Sequence, residues 1–276
     1  MSSDRIFEFT KENLNQYLKA VAREYRKLVG KGMPAEMVII GGASVLLNYG
    51  FRNITTDIDA LILAASGMRD AINHVRDQYD LPDGWLNSDF TNTDSYTPKL
   101  LEYSKYYRTY SNTVSIRTIS AEYLIAMKLR SGRLYKNDLS DVLGILADHE
   151  KRNCPITEER IQTAVCDLYG TMDALPESSI IFLENIMKDG HFSQLYSQIV
   201  KSERETRTLL TEYEHDNPGL VTKSNFTSIT KKIVQKSSRA SILAALEEKK
   251  KENIQRSPRN NSQKSSDKRS GSSELN

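Results

Sequence analysis

The chain of 276 residues has only two cysteines, Cys154 and Cys166, twelve residues apart and with no cysteine or histidine pair beside them. That spacing matches neither a zinc pattern nor a disulfide framework, so plain thiols, buried or at the surface, are expected. The four histidines, His74, His149, His191 and His215, do not cluster, which removes any histidine metal triad or nucleophile–base pair readable from sequence. Long apolar runs are missing as well. No segment approaches the roughly 18 residues of a membrane span, and Met1–Glu8 lacks a basic stretch followed by an apolar one. A cytoplasmic protein with no membrane partner is expected. A formal net charge of +2 offers no global argument for a polyanionic ligand.

Apolar residues are in short supply too. A hydrophobic fraction of 38% and an aromatic fraction of 8% are low for a chain folded along its whole length, whereas 27% charged is ordinary. The shortage is concentrated at the end. Beyond about Lys251 the chain is almost free of large apolar residues and rich in Ser, Asn, Gln, Lys and Arg, with five basic residues against two acidic ones after Gln255. Such a segment cannot bury enough surface to offset the entropy of ordering, so a disordered basic tail is expected, preceded by an isolated helix over Ser238–Lys250.

What remains reads as alternating helices and strands. Leu14, Leu18, Val21, Tyr25 and Leu28 recur at three- and four-residue spacing within Phe9–Val29, which predicts an amphipathic helix. Met37-Val38-Ile39-Ile40 is a short buried strand running into Gly41-Gly42, and a helix from Ala43 to about Tyr49 follows, with Gly50 as its C-terminal stop. Thr55 to Leu63 predicts a second strand, Ser66 to Gln78 a helix and Leu81–Trp85 a loop. The tyrosines and β-branched residues of Lys99–Thr118 predict a hairpin turning at Ser111-Asn112. Helical spacing resumes at Ser120, again near Asp138, and continues to about Ser202. Tyrosines in the hairpin flank Lys105 and Arg108, but sheet packing explains them better than base stacking.

Strand residues two apart project to one face, so Asp57 and Asp59 would stand together with Cα atoms roughly 6 to 7 Å apart while Ile58 enters the core. Two carboxylates on one side suit Mg²⁺, which typically takes one or two carboxylates plus substrate phosphates. Upstream, Gly41-Gly42-Ala43-Ser44 is a turn where bare backbone and a helix N-terminus can approach a phosphate, with Ser44 adding a hydroxyl. Alone, either feature is ordinary: a solvated Asp-x-Asp, or a tight strand-to-helix connection. Their order, followed through Arg52 and Thr55-Thr56, describes a phosphate pocket closed around a metal pair.

The stretch from Gly41 to Asp59 resembles the nucleotidyltransferase superfamily, and more narrowly a bacterial branch that includes AbiEii-type toxins. A second block strengthens the likeness: Ala126-Met127-Lys128-Leu129, Arg133, Lys136 and Asp138-Leu139-Ser140-Asp141 is similar to that branch's lysine-bearing helix followed by an arginine and Asp-x-x-Asp. The resemblance spans roughly 37–146. It implies Mg²⁺ on Asp57 and Asp59 and phosphate contacts from Gly41, Gly42, Ser44, Arg52, Lys128, Arg133 and Lys136. Asp138 and Asp141 would serve as a base or as anchors for these cations. Read without it, Asp138 caps the second helix, Asp141 lies in its first turn, and Lys128 and Arg133 are solvated cations. A third metal carboxylate, common in polymerase-like members, has Glu102, Asp89 and Asp94 as candidates.

The expected architecture is therefore α/β (α+β): a mixed nucleotidyltransferase-type sheet flanked by helices over 1–119, a helical domain over 120–225 completing the site, and a weakly ordered 226–276. The expected reaction is Mg²⁺-dependent transfer of NMP from an NTP, with tRNA, a protein side chain or an aminoglycoside-type small molecule as acceptor classes. The rival is a catalytically silent nucleotide-binding or toxin–antitoxin module, for which an antitoxin would be the partner.

Overall fold

The computed structural model describes residues 7–133 and 136–222, together with 225, 228–230, 232 and 233. The expected helix at 238–250 and the tail lie outside them. The chain divides into Met1–Leu220 and Val221–Asn276, and every helix and strand named below belongs to the first unit.

Helix α1 (Lys11–Val29) starts where Thr10 and Asn13 exchange a capping box, and it buries Leu14, Leu18, Val21 and Tyr25. Strand β1 (Ala35–Ile39) follows, then α2 (Gly41–Asn48), β2 (Ile58–Leu63), α3 (Gly67–Tyr79) and the two-residue β3 (Leu86–Asn87). Strands β4 (Ser104–Tyr110) and β5 (Val114–Ile119) form the expected hairpin. Ser111 and Asn112 both hold left-handed φ values, 52° and 51°, as a two-residue turn of this kind requires. The sheet is mixed, in the order β3-β2-β1-β5-β4, with β1 antiparallel to β2 and parallel to β5.

Alternation along β1 divides the interior. Met37 and Ile39 pack with α1, α3 and the β2 residues Ile58 and Ala60, whereas Val38 and Ile40 face a second core. That second core is completed by α4 (Ala121–Ser131), α5 (Asp138–Lys151), α6 (Glu158–Tyr169), α7 (Glu177–Asp189) and α8 (Phe192–Asp216).

Several boundaries differ from expectation. α2 begins at Gly41 and ends on an extended Tyr49, and Gly50 is not in the left-handed region, so it is no C-terminal cap. β2 starts at Ile58 rather than Thr55, because the Thr55 backbone pairs with Phe9, N–H to O at 2.9 and 2.7 Å, and is unavailable to β1. Asp57 therefore precedes the strand that carries Asp59. The helical region runs on to Asp216, past Ser202.

Candidate active site

The glycine turn and the aspartates meet because β1 and β2 are neighbours. The Ile40 N–H donates to the Asp59 carbonyl at 2.9 Å, which sets Asp59 across from the point where β1 becomes α2. A Cβ on Gly41, whose φ is 59°, would lie 3.4 Å from Asp59 Oδ2. One on Gly42 would lie 2.6 Å from Arg52 Nη2 and 2.8 Å from Thr55 Oγ1. The glycines thus let a carboxylate and a guanidinium crowd the helix N-terminus. No side chain caps that end of α2, so its first N–H groups keep their capacity for an anion. Ser44 is fully buried, and its Oγ has no partner among the described residues. It lies beneath the turn, without the exposure a phosphate contact needs.

Asp57 and Asp59 are both half-buried. Burial, then the charge of Asp57, pushes the Asp59 carboxyl up to about 6 against the pull of Lys136, Arg133 and Lys128. The two carboxylates therefore sense one another, although only Asp59 lies in the strand. No ion pair reaches either carboxylate among the described residues. Such an under-compensated pair fits a divalent cation, which would take the place of the missing countercharge.

The cations are organised by a second pair of aspartates. Asp138 and Asp141 occupy the first turn of α5, both buried, with Asn137 as N-cap. Lys128 Nζ lies 2.8 Å from Asp138 and 2.8 Å from Asp141, Arg52 Nη1 lies 2.6 Å from Asp141, and Arg133 Nε lies 2.8 Å from Asp138. Burial opposes the charge on Lys128, but Asp138 and Asp141 outweigh it and hold the ammonium above its usual range. Burial likewise opposes ionisation of Asp138, yet Lys128 and Arg133 bring its carboxyl well below the ordinary value. In this geometry Asp138 and Asp141 are anchors for cations. Their distribution also explains the position of Lys128, which is a buried residue and not a solvated one.

The remaining sequence candidates divide. Lys136 is exposed yet near enough to act on Asp59. Glu102, Asp89 and Asp94 are exposed, and no group of three or more His, Cys, Asp or Glu able to hold a metal forms among the described residues. Tyr107 and Tyr110 spend their hydroxyls on Asn15, and Tyr103 stacks on Tyr123, which is sheet packing as expected.

Sequence reasoning passed over three supports. Phe51 lies on the backbone of α5 at Gly144, where an added Cβ would come within 2.4 Å of its ring. Tyr196 packs edge-on to Phe51, at 5.6 Å between centroids, and donates to its carbonyl at 3.2 Å. Glu203, buried on α8, accepts the N–H groups of Leu139 and Ser140 at 3.2 Å each. Its position in line with Phe192, Thr206 and Leu210 was a usable signal: an acidic residue on the buried stripe of a helix.

No curated protein and no solved structure matches the chain. Among the described residues no helix is long and apolar enough to cross a membrane. Residues 16–151, which include every strand among the described residues, the glycine turn, both aspartate pairs and Lys128, match the model of the family described as "Nucleotidyltransferase of unknown function (DUF6036)". The match supports assignment of this region to the nucleotidyltransferase superfamily.

Proposed function

We propose that the protein transfers NMP from an NTP to an acceptor hydroxyl in a Mg²⁺-dependent reaction. The observation that carries this reading is the under-compensated pair Asp57/Asp59 set against the uncapped N-terminus of α2. Asp57 and Asp59 would hold Mg²⁺, which when bound neutralises phosphate charge and polarises the reacting phosphorus. The first N–H groups of α2 bind and orient phosphate oxygens. Arg52, Lys128 and Arg133, held by Asp138 and Asp141, form a positive wall beside them, and Lys136 adds charge from the exposed side. An ammonium has three donors and Lys128 commits two to aspartates, so it acts on the triphosphate mainly through its field.

Labelled NTPs with Mg²⁺ test the reading. Asp59→Asn should lower transfer about 10²-fold or more while leaving the fold intact. Activity equal to that of the unaltered chain would reject metal catalysis at Asp59.

For the acceptor we favour tRNA, supported by the toxin-type resemblance of the two motif blocks and by the basic residues after Gln255. Label on total tRNA, weakening with salt, is the expected result; label on an aminoglycoside alone overturns it. The absence of a third carboxylate beside Asp57 and Asp59 among the described residues favours a second reading, a silent nucleotide-binding module paired with an antitoxin. NTP binding without transfer to any acceptor would decide for it.

A further inference from the structure

Glu203 is buried, 4% exposed, yet its two oxygens are treated very differently. Oε1 accepts both N–H groups at the start of α5, a favourable place for negative charge at a helix N-terminus. Oε2 has no hydrogen-bond partner among the described residues. A carboxylate oxygen buried in that way disfavours the ionised form. Asp141 and Asp138 face it from α5 and disfavour ionisation further.

The surrounding charges are few enough to name. On the α5 side, Asp138 and Asp141 are compensated by Lys128 from α4, by Arg52 from the α2–β2 connection and by Arg133. On its own helix, Tyr196 lies close enough to sense Glu203, and Arg207 is committed to Asn137 Oδ1 at 2.7 Å. The Ser140 hydroxyl and N–H favour the charged form, but burial dominates and, with the two aspartates, pushes the carboxyl up to about 7. With Glu203 ionised, three carboxylates balance three cations. Protonated, it leaves that cluster one positive charge in excess.

We propose that Glu203 is a positioning residue that clasps the N-terminus of α5 from α8, and that its proton sets the net charge of the Asp138/Asp141–Lys128/Arg52/Arg133 cluster presented to the triphosphate. The clasp stands on its own geometry, whereas the effect on triphosphate rests on the transferase reading above. As pH falls through the titration of Glu203, the cluster gains positive charge and holds a polyphosphate more tightly. Glu203→Gln keeps the carbonyl acceptor for the two N–H groups and fixes the neutral charge state at every pH.

The full chain is tested by thermal melting and by binding of Mg²⁺-tripolyphosphate between pH 5.5 and 8.5, unaltered and as Glu203→Gln. The variant should gain midpoint relative to the unaltered chain as pH rises through about 7. At pH 8.5 it should bind tripolyphosphate roughly three- to tenfold tighter, the difference closing toward pH 6. Parallel melting profiles overturn the titrating clasp. A midpoint effect without any difference in binding, in a chain that does bind tripolyphosphate, reduces Glu203 to a helix cap and overturns the link to the site. If neither chain binds tripolyphosphate, the transferase reading fails, while the melting profiles still decide the clasp. Should Glu203→Gln not fold, infrared spectra of the Asp59→Asn protein serve instead: a protonated-carboxyl band that disappears as pH rises through about 7 is expected, and no such band overturns the proposal.

Discussion

At the scale of single residues, Gly42 and Lys128 hold the site together in opposite ways. Gly42 contributes an absence: a methyl there would meet Arg52 Nη2 at 2.6 Å and Thr55 Oγ1 at 2.8 Å. Because the guanidinium ends a flexible chain, Gly42→Ala should cost only about 1–2 kcal/mol of stability. It should nevertheless lower transfer strongly, since Arg52 must shift from its place against the turn; a melting curve and a turnover assay on the same preparation separate the two effects. Lys128 contributes a charge that two buried aspartates need. Lys128→Met leaves Asp138 and Asp141 short of a counter-ion and should destabilise by about 3–5 kcal/mol, read by urea unfolding. A variant of unchanged stability would show that these carboxylates do not depend on Lys128. It follows that lost activity at Lys128 is no proof of a phosphate contact.

Among the elements, α5 carries most of the construction. Its first turn anchors the cations, Gly144 one turn later seats Phe51, and α8 covers both through Tyr196 and Glu203. Phe51 immediately precedes Arg52, so the seat for the ring also fixes where the guanidinium begins its reach to Asp141. A larger residue at 144 cannot coexist with the ring, as a Cβ alone would approach within 2.4 Å. Gly144→Val should therefore cost about 1–3 kcal/mol by overpacking and, by displacing Phe51, weaken polyphosphate binding as well. Chemical denaturation checks the first effect and tripolyphosphate titration the second.

Over the whole molecule, the displaced carboxyl groups give stability a definite pH dependence. Asp59 at about 6 and Glu203 at about 7 both lie above their ordinary values of 3.8 and 4.5. The folded chain therefore binds more protons than the unfolded one across the window from about 4 to 7, and stability declines as pH rises through it. Asp138 acts in the other direction: its lowered value contributes stability that is lost only as pH falls below the ordinary carboxylate range. The thermal midpoint should thus peak near pH 4 and fall toward pH 8. Asp59 is only half-buried, so after allowance for solvent screening, Asp59→Asn should add about 1–2 kcal/mol at pH 8 and nothing at pH 3, below the ordinary carboxylate value. Added Mg²⁺ should raise the midpoint of the unaltered chain at pH 8 and leave that of the Asp59→Asn chain in place.

Sequence by itself determined what local patterning controls. The amphipathic stripe of α1, the apolar β1 ending in two glycines, the Ser111-Asn112 turn and the place of Asp59 in β2 all follow from periodicities of two or 3.6 residues and from backbone freedom. The first-turn position of Asp141 was legible for the same reason, whereas Asp138, expected as the cap, lies one residue inside the helix that Asn137 caps. Tertiary structure alone decided how these pieces share charge and space. It committed the Thr55 backbone to Phe9 and so shortened β2, buried Ser44 beneath the turn, and kept Glu102, Asp89 and Asp94 at the surface. It also joined Arg52 to Asp141, 89 positions apart, and Glu203 to Leu139, 64 apart. Contacts across such separations depend on which faces of distant helices pack together, and burial then fixes whether a carboxylate there is an anchor, a metal ligand or a proton store. No spacing within one element encodes that choice.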